Sequence, residues 1–276
     1  MAAYDGLSEV KANHRSVGHV VVLALAALTG CASVSAPHGP AATQALAPTG
    51  KLRVGLYPGT PTSIVGDPTS ANAKGVGFDL GRALAHAAGV PFEPVVFTKN
   101  AEVLAAAMAG SVDIVFTNAT PARRNDLDFS PTVLQVEQGY LVPPGSPIRT
   151  LDQIDRTAMR IGVSEGSTSE ATLSRQFHNA TVVRTPSLKT AIDMLSTGGL
   201  EAFATNKATL FEMSDELPGS RVLDGRWGLE SFAFGIPKGR EAALALVSSF
   251  VDEAKANGAL ARAVERAGLR GTVIPD

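Results

Sequence analysis

Two parts of the sequence carry groups that could bind a small anion. Arg123 offers a planar guanidinium, which can bind a carboxylate through two parallel hydrogen bonds. Ser167 and Thr168 follow Gly166 at a predicted helix start, where free backbone N–H groups and the helix dipole favour an anion. Each feature also has an ordinary explanation, because an arginine beside Arg124 is often a solvated loop cation and a serine often only caps a helix. Together they could hold one carboxylate from two sides.

The only cysteine, Cys31, ends a segment typical of an exported protein. Basic residues precede an uninterrupted apolar run at 20–28, and small residues follow it. This run is far shorter than the roughly 20 residues that cross a bilayer. Leu28-Thr29-Gly30-Cys31 resembles the bacterial lipobox, in which the cysteine thiol receives a lipid. We therefore expect a signal peptide over 1–30 and lipidation of Cys31; the alternative is a short buried helix with one core cysteine.

The composition is that of an ordinary globular protein, with 45% hydrophobic and 18% charged residues. The formal net charge of −2 gives no indication of a nucleic-acid partner. None of the five histidines pairs with another at ligand spacing, so we expect no metal site. The sequence also has no phosphate loop, dinucleotide glycine pattern or nucleophile elbow, and we expect no cofactor.

The organisation of the chain changes at Gly50. Residues 31–49 are mostly Ala, Ser, Pro and Thr without charge, which predicts a flexible tether. After Gly50, short apolar strands alternate with helical segments, which favours an α/β fold with mostly parallel sheets flanked by helices. The predicted strands are 52–56, 94–97, 113–116, 159–164, 181–183 and 201–205. The predicted helices are 78–88, 101–109 after an Asn100 cap, one capped by Ser167, 188–195, and two within 241–269.

Two such α/β units of similar size predict two lobes. Segments near 141–144 and 234–237 look like passages between them. We expect lobe 1 to comprise 50–143 plus 235–276, and lobe 2 to comprise 144–234. A ligand cleft would then lie between the lobes.

The order of several short motifs is similar to the extracellular solute-binding proteins of bacterial ABC importers, specifically the polar-amino-acid receptors of the type II periplasmic-binding fold. The motifs are Gly50-Lys51-Leu52-Arg53-Val54-Gly55, Gly77-Phe78-Asp79-Leu80, Gly110-Ser111-Val112-Asp113, Thr120-Pro121-Ala122-Arg123, Asp128-Phe129-Ser130 and Gly162-Val163-Ser164-Glu165-Gly166-Ser167-Thr168. Each motif is weak alone, but six in this order form a specific signal. The resemblance covers the chain from about Gly50 to its end.

The resemblance implies a set of ligand-binding positions. In the family, the arginine that matches Arg123 holds the ligand carboxylate, and an aromatic residue at the position of Tyr57 covers the ligand. The full expected set is Tyr57, Thr117, Asn118, Thr120, Arg123, Gly166, Ser167, Thr168 and Asn206. Tyr57 could equally be a half-buried edge residue without a ligand role.

The sequence departs from the family at two places. The loop between Asp113 and Arg123 is about two residues shorter than in the amino-acid receptors. Asn206 stands where these receptors usually carry an aspartate that holds the ligand ammonium. Because burying an ammonium without an anion is costly, either another acid such as Glu165 replaces that aspartate or the ligand lacks an ammonium.

The resemblance implies a non-catalytic receptor, expected to be monomeric, that delivers a small carboxylate-bearing solute to an inner-membrane ABC permease with a cytoplasmic ATPase. With the lipid anchor, it would reside in the periplasm or cell envelope. Two alternatives stay open. One is a dehydratase on the same scaffold, for which Glu165 is the nearest general acid. The other is a sensory receptor without a transport role.

Overall fold

The computed structural model of this protein describes residues 39–275, so the predicted signal peptide, Cys31 and the first part of the predicted tether lie outside the described residues. The strands of this range are β1 (Leu52–Leu56), β2 (Phe92–Val96), β3 (Ile114–Asn118), β4 (Leu127–Phe129), β5 (Leu134–Val142), β6 (Arg160–Ser164), β7 (Thr181–Thr185), β8 (Ala202–Asn206), β9 (Arg221–Val222), β10 (Gly228–Pro237) and β11 (Thr272–Val273). The helices of this range are α1 (Pro40–Leu46), α2 (Val76–Ala87), α3 (Asn100–Met108), α4 (Thr168–Gln176), α5 (Leu188–Ser196), α6 (Lys207–Glu216), α7 (Glu241–Ala256) and α8 (Ala259–Ala267). Within the same range, no helix is both long enough and apolar enough to cross a membrane.

The sheet consists of two similar halves. On one side β2, β1 and β3 run parallel, and on the other side β7, β6 and β8 do so. In each half one long antiparallel strand completes the arrangement, β10 beside β3 and β5 beside β8. This architecture confirms the predicted pair of mostly parallel α/β units.

The two long strands connect the halves because each changes its neighbour along its length. Strand β10 pairs with β5 up to Phe232 and with β3 from Phe232 onward. Strand β5 in turn pairs with β8 from Gln138 onward. The division into lobes at 143 and 234 stays a prediction, and this pairing would move its junctions to about 138 and 232.

Separate hydrophobic clusters lie in the two halves. In the first, Leu84 of α2, Leu246 of α7 and Leu260 of α8 pack in one cluster with the strand residue Leu52. The two C-terminal helices therefore return to the first half of the fold, as the sequence predicts. In the second, clusters form around strand residues such as Phe203 and Val163.

The prediction of a flexible tether over 31–49 is wrong for its last part. Residues Pro40–Leu46 form α1, and Leu46 is fully buried in the same cluster as Leu246 of α7. A proline at the first helical position and a helix-forming run of alanines allow this turn of helix. Burial of Leu46 then fixes it, since a buried leucine side chain gains about 1.5–3 kcal/mol relative to an exposed one.

Helix starts follow the predicted capping chemistry at α4 but not at α3. Ser167 caps α4, because its Oγ accepts a hydrogen bond from the N–H of Glu170 at 3.1 Å. Asn100, the predicted cap of α3, is instead its first helical residue. There the carboxylate of Glu102 accepts the backbone N–H of Lys99, so a side chain inside the first turn replaces the expected cap.

Candidate functional site

A cavity of about 90 Å³ lies where the two halves of the fold meet. Its lining combines residues from both halves of the fold, including two residues of strand β10. Seven of the predicted binding residues line it, namely Tyr57, Thr117, Asn118, Arg123, Ser167, Thr168 and Asn206. Further lining residues that were not predicted from sequence are Thr60, Thr62, Ser63, Ser164, Ser169, Thr205, Thr209 and Glu230. The surface is therefore rich in hydroxyl and amide groups around one arginine and one glutamate.

Arg123 presents part of its guanidinium to this cavity. Its Nη1 donates to Thr117 Oγ1 at 2.7 Å and to the backbone oxygen of Asn118 at 3.2 Å, which fixes the plane of the group. Nε and Nη2 make no hydrogen bond to any residue in 39–275, and no carboxylate of that range lies within 4.0 Å of the guanidinium. Burial lowers the pKa of Arg123, and the charge of Glu230 opposes this effect. Arg123 is thus a cation held in place by Nη1, with Nε and Nη2 not bonded to any residue in 39–275.

The N-terminus of α4 faces the same cavity through Ser167 and Thr168. Within the described range, the backbone N–H groups of Thr168 and Ser169 make no hydrogen bond, as expected in the first turn of a helix. The N–H groups of Gly166 and Ser167 are not available, because they donate to Glu170 Oε2 at 2.6 Å and to the oxygen of Ser164 at 3.1 Å. The backbone N–H groups available to an anion at this turn are therefore those of Thr168 and Ser169, whereas the sequence predicted Gly166, Ser167 and Thr168.

Thr120 and Gly166 lie apart from the small cavity and line a second one of about 620 Å³. Arg123, Ser167 and Thr168 separate the two, since they line both. Thr120 Oγ1 accepts a hydrogen bond from the backbone N–H of Arg123 at 3.2 Å. Thr120 therefore holds the loop that carries Arg123 and does not line the small cavity.

Tyr57 follows β1 and lines the cavity beside Ser164. Burial raises the pKa of its hydroxyl, and a hydrogen bond with Ser164 opposes the rise. Because Tyr57 follows β1 in the first half of the fold and Ser164 ends β6 in the second, this contact crosses between the halves.

Asn206 has a structural role in addition to its place in the cavity lining. Its Oδ1 accepts the N–H of Thr209 at 3.0 Å and so caps α6. The same oxygen lies 3.1 Å from Thr209 Oγ1. The asparagine at this position therefore caps α6, and it adds no negative charge to the cavity.

Glu230 is the charged cavity residue that the sequence analysis missed. Its Oε2 accepts a hydrogen bond from Gln138 Nε2 at 2.8 Å. Burial raises the pKa of the Glu230 carboxyl, while the charge of Arg123 and hydrogen bonds from Thr168 and Asn118 oppose the rise. Glu230 alternates with Phe232 and Phe234, both buried, and this places all three on one face once 228–237 is known to form a strand. A glutamate on the buried face of a strand is unusual enough to indicate a site.

Glu165, the acid proposed from sequence to replace the missing aspartate, is not in the cavity lining. Its side chain is 51% exposed and pairs with Lys99 at 3.6 Å. Among residues 39–275, no group of three or more His, Cys, Asp or Glu side chains is placed to hold a metal ion.

Comparison with known proteins gives relatives of one kind. The ABC transporter glutamine-binding protein GlnH of Bacillus subtilis (strain 168) is 24% identical over 151 residues, 54% of this chain and 55% of that protein. The glutamine-binding protein of Geobacillus stearothermophilus is 24% identical over 239 residues, 79% of this chain and 90% of that protein. The match to GlnH thus spans little more than half of that relative.

A solved structure shares the fold. The ancestral amino acid-binding protein AncCDT-1, described as a precursor of cyclohexadienyl dehydratase, superposes with a TM-score of 0.70 at 24% identity. The match covers 81% of this chain and 98% of that one. Together with the paired α/β units, this confirms the predicted type II periplasmic-binding fold. Residues 52–268 match the family described as bacterial extracellular solute-binding proteins, family 3, and this chain belongs to that family.

Proposed function

We propose that this protein is a non-catalytic receptor that binds an amino acid or a related small carboxylate between its lobes. The observation that carries the proposal is Arg123, which lines the cavity and whose Nε and Nη2 have no hydrogen-bond partner within 39–275. The free N–H groups of Thr168 and Ser169 at α4 lie on the same cavity. A carboxylate placed between them would receive charge-assisted hydrogen bonds from both lobes.

Binding of this kind would favour the closed arrangement of the lobes. Asn118 Nδ2 donates to Thr168 Oγ1 at 3.2 Å, and Thr60 Oγ1 lies 2.8 Å from Thr209 Oγ1. Neutral hydrogen bonds of this kind contribute about 0.5–1.5 kcal/mol each, and hydrogen bonds to a charged group about 1.5–3 kcal/mol. A ligand that contacts both lobes therefore shifts the population toward closure, because only the closed state makes all of its contacts.

Calorimetric titration tests the proposal directly. The panel contains L-glutamine and the other standard amino acids, dicarboxylates and organophosphonates. We expect at least one of these anions to bind with a Kd in the low-micromolar range or below, and Arg123→Ala to abolish its binding. Loss of the paired donors alone removes on the order of 1.5–3 kcal/mol per charged hydrogen bond.

Arg124→Ala is the matched control, because it removes the neighbouring arginine, which stacks over the Phe129 ring at 5.3 Å and does not line the cavity. It should bind like the wild type. The proposal fails if no anion of the panel binds, or if Arg123→Ala binds as well as Arg124→Ala does.

The family acts outside the cytoplasm, in the periplasm or cell envelope. We further propose that Cys31 carries a lipid that tethers the domain to the membrane, where it delivers its solute to an ABC permease with a cytoplasmic ATPase. Fractionation of cells tests the anchor: wild-type protein should sediment with membranes, and Cys31→Ser should appear in the soluble extracytoplasmic fraction. Equal membrane association of both would refute the lipid anchor.

An enzymatic role on the same scaffold is the second candidate, and Glu230 is the observation that favours it. A dehydratase needs a protonated acid in the cleft, and burial raises the pKa of Glu230 in that direction. Glu165, the acid expected from sequence, is outside the cavity. Incubation with prephenate or arogenate should give no aromatic product if the protein is a receptor, and a product lost in Glu230→Gln would establish the enzyme.

A further inference from the structure

Glu230 and Arg123 are opposite charges that share one cavity without forming an ion pair. Both line the cavity of about 90 Å³. The charge of each residue shifts the pKa of the other. Neither residue, however, lies within 4.0 Å of an oppositely charged group among residues 39–275. Two partly buried charges held apart both lack the partner that would offset their lost hydration.

The carboxylate of Glu230 is held in position by its neighbours. Gln138 is 1% exposed, donates to Glu230 Oε2 through Nε2 at 2.8 Å, and places its Oε1 3.4 Å from Ser169 Oγ. Because the amide of Gln138 is fixed at both ends, Glu230 cannot move far without losing a buried hydrogen bond. The acid therefore stays at the cavity rather than turning outward.

Neither of the two residues considered from sequence, Asn206 and Glu165, can supply a negative charge opposite Arg123 in the cavity. Asn206 uses its oxygen to cap α6 and carries no charge. Glu165 is exposed, pairs with Lys99 and does not line the cavity. Among the cavity-lining residues, Glu230 is the anion and Arg123 the cation.

We propose that Glu230 binds the ammonium group of the ligand while Arg123 binds its carboxylate, so that the site selects zwitterionic amino acids over carboxylates without an amine. This assignment rests on the proposed function as a carboxylate receptor. An α-amino acid carries both charges on one carbon and can lie between the two side chains, where it neutralises each. A dicarboxylate would place a second negative charge toward Glu230 and is disfavoured by repulsion.

Calorimetry with matched ligand pairs tests the assignment. Each pair is a standard L-amino acid and its α-deamino analogue, such as L-glutamine and glutaramate, with succinate and glutarate as dicarboxylates. We expect the wild type to prefer the amino acid over its analogue on the order of 100-fold, the usual cost of leaving one member of a buried charge pair without its partner. Glu230→Gln should weaken amino-acid binding by a similar factor and leave the analogue unchanged or tighter, so that the preference disappears.

Two further variants separate charge from folding. Glu230→Asp keeps the charge on a shorter side chain and should retain the preference with weaker binding. Glu165→Gln removes an acid outside the cavity and should change affinity by less than about fivefold, since exposed ion pairs contribute little. Circular dichroism and thermal unfolding of each variant verify that it is folded.

The results distinguish the two proposals. Equal wild-type binding of an amino acid and its deamino analogue, or an unchanged preference in Glu230→Gln, overturns the role of Glu230 and leaves the carboxylate receptor intact. Binding of deamino carboxylates or dicarboxylates alone, abolished by Arg123→Ala, does the same. Failure of every ligand to bind overturns both.

Discussion

Asn206 both lines the cavity and caps a helix. The sequence places it where related receptors carry an aspartate, and so raises the question of charge. The structure shows that its Oδ1 accepts the N–H of Thr209 at 3.0 Å and caps α6. Aspartate and asparagine cap helices about equally well, so the cap alone does not require an asparagine.

Asn206→Ala tests the structural part of this role. Loss of the cap should lower the free energy of unfolding by about 1 kcal/mol, because the N–H of Thr209 loses its acceptor. Asn206→Asp keeps an acceptor at the same place and should unfold like the wild type. Urea unfolding at neutral pH measures both. An Asn206→Ala variant as stable as Asn206→Asp would show that the cap contributes nothing.

Glu230 leads to a prediction about pH and stability. Burial raises the pKa of its carboxyl above the value of 4.5 of the free group, despite the nearby charge of Arg123 and hydrogen bonds from Gln138 and other neighbours. The folded protein therefore binds a proton more tightly than the unfolded chain, and its stability falls as the pH rises between the two pKa values. Glu230→Gln mimics the protonated acid and does not suffer this loss.

The ligand-free Glu230→Gln protein should thus be more stable than the wild type near pH 7. The difference should shrink on acidification and disappear below about pH 4, where the wild-type glutamate is protonated in both states. Urea unfolding between pH 4 and 8 measures it. A stability difference that is independent of pH, or a variant less stable than the wild type at pH 7, would contradict the predicted pKa direction.

At the scale of elements, the turn between β6 and α4 lies against helix α3 of the first half of the fold. Gly166 has a φ of 72°, and a Cβ there would lie 3.0 Å from the Cβ of Ala101 in α3. The left-handed conformation costs a non-glycine residue roughly 1–2 kcal/mol. Since Ala101 lies in α3 of the first half of the fold, we expect an added methyl group also to oppose closure around a ligand.

Gly166→Ala compared with Gly145→Ala separates these two effects. Gly145 has a similar φ of 74° and nothing within 4 Å of an added Cβ, so its variant experiences only the backbone strain. Both should lower the free energy of unfolding by about 1–2 kcal/mol. Only Gly166→Ala should also weaken ligand binding in calorimetry. Equal affinity in the two variants would show that the contact with Ala101 is unimportant for binding.

The elements also show what a sequence can predict. The strands and helices that the sequence predicts lie close to their observed positions, because each is short and has its own hydrophobic period. Helix α6 and strand β10 were not predicted. Strand β5 was not predicted, since Gln135, Glu137 and Gln138 interrupt its apolar pattern. In the folded chain, Gln138 donates to Glu230 at 2.8 Å and Glu137 pairs with Lys207 at 2.8 Å. The burial of α1 similarly depends on a surface of α7 that is distant in sequence.

In the candidate site, too, local features could be predicted from sequence, and features that depend on distant parts of the chain could not. Arg123 and the α4 N-terminus could be predicted because short motifs surround them and resemble a known family. Glu230 has no such motif, and its importance depends on how β10 crosses from one half of the fold to the other. Contact between Glu230, Gln138 and the α4 region arises only in the folded chain, so the sequence alone could place the cation but not the anion.

At the scale of the whole molecule, the ligand should act as a connection between lobes and should stabilise the protein. Any ligand that binds only the folded state adds about 2.7 kcal/mol when present at 100 times its Kd. We therefore expect the bound amino acid to raise the Tm of the wild type in a concentration-dependent manner. The Arg123→Ala protein should show no shift at the same concentrations, and a shift as large as that of the wild type would contradict closure around Arg123.

The most direct test of the account is a crystal structure of the natively purified protein with its amino-acid ligand. We predict the ligand carboxylate at about 2.7–2.9 Å from Nε or Nη2 of Arg123. The ammonium should lie at hydrogen-bond distance from the carboxylate of Glu230. A ligand that leaves Arg123 without a contact, or that binds elsewhere in the protein, would contradict the central claim.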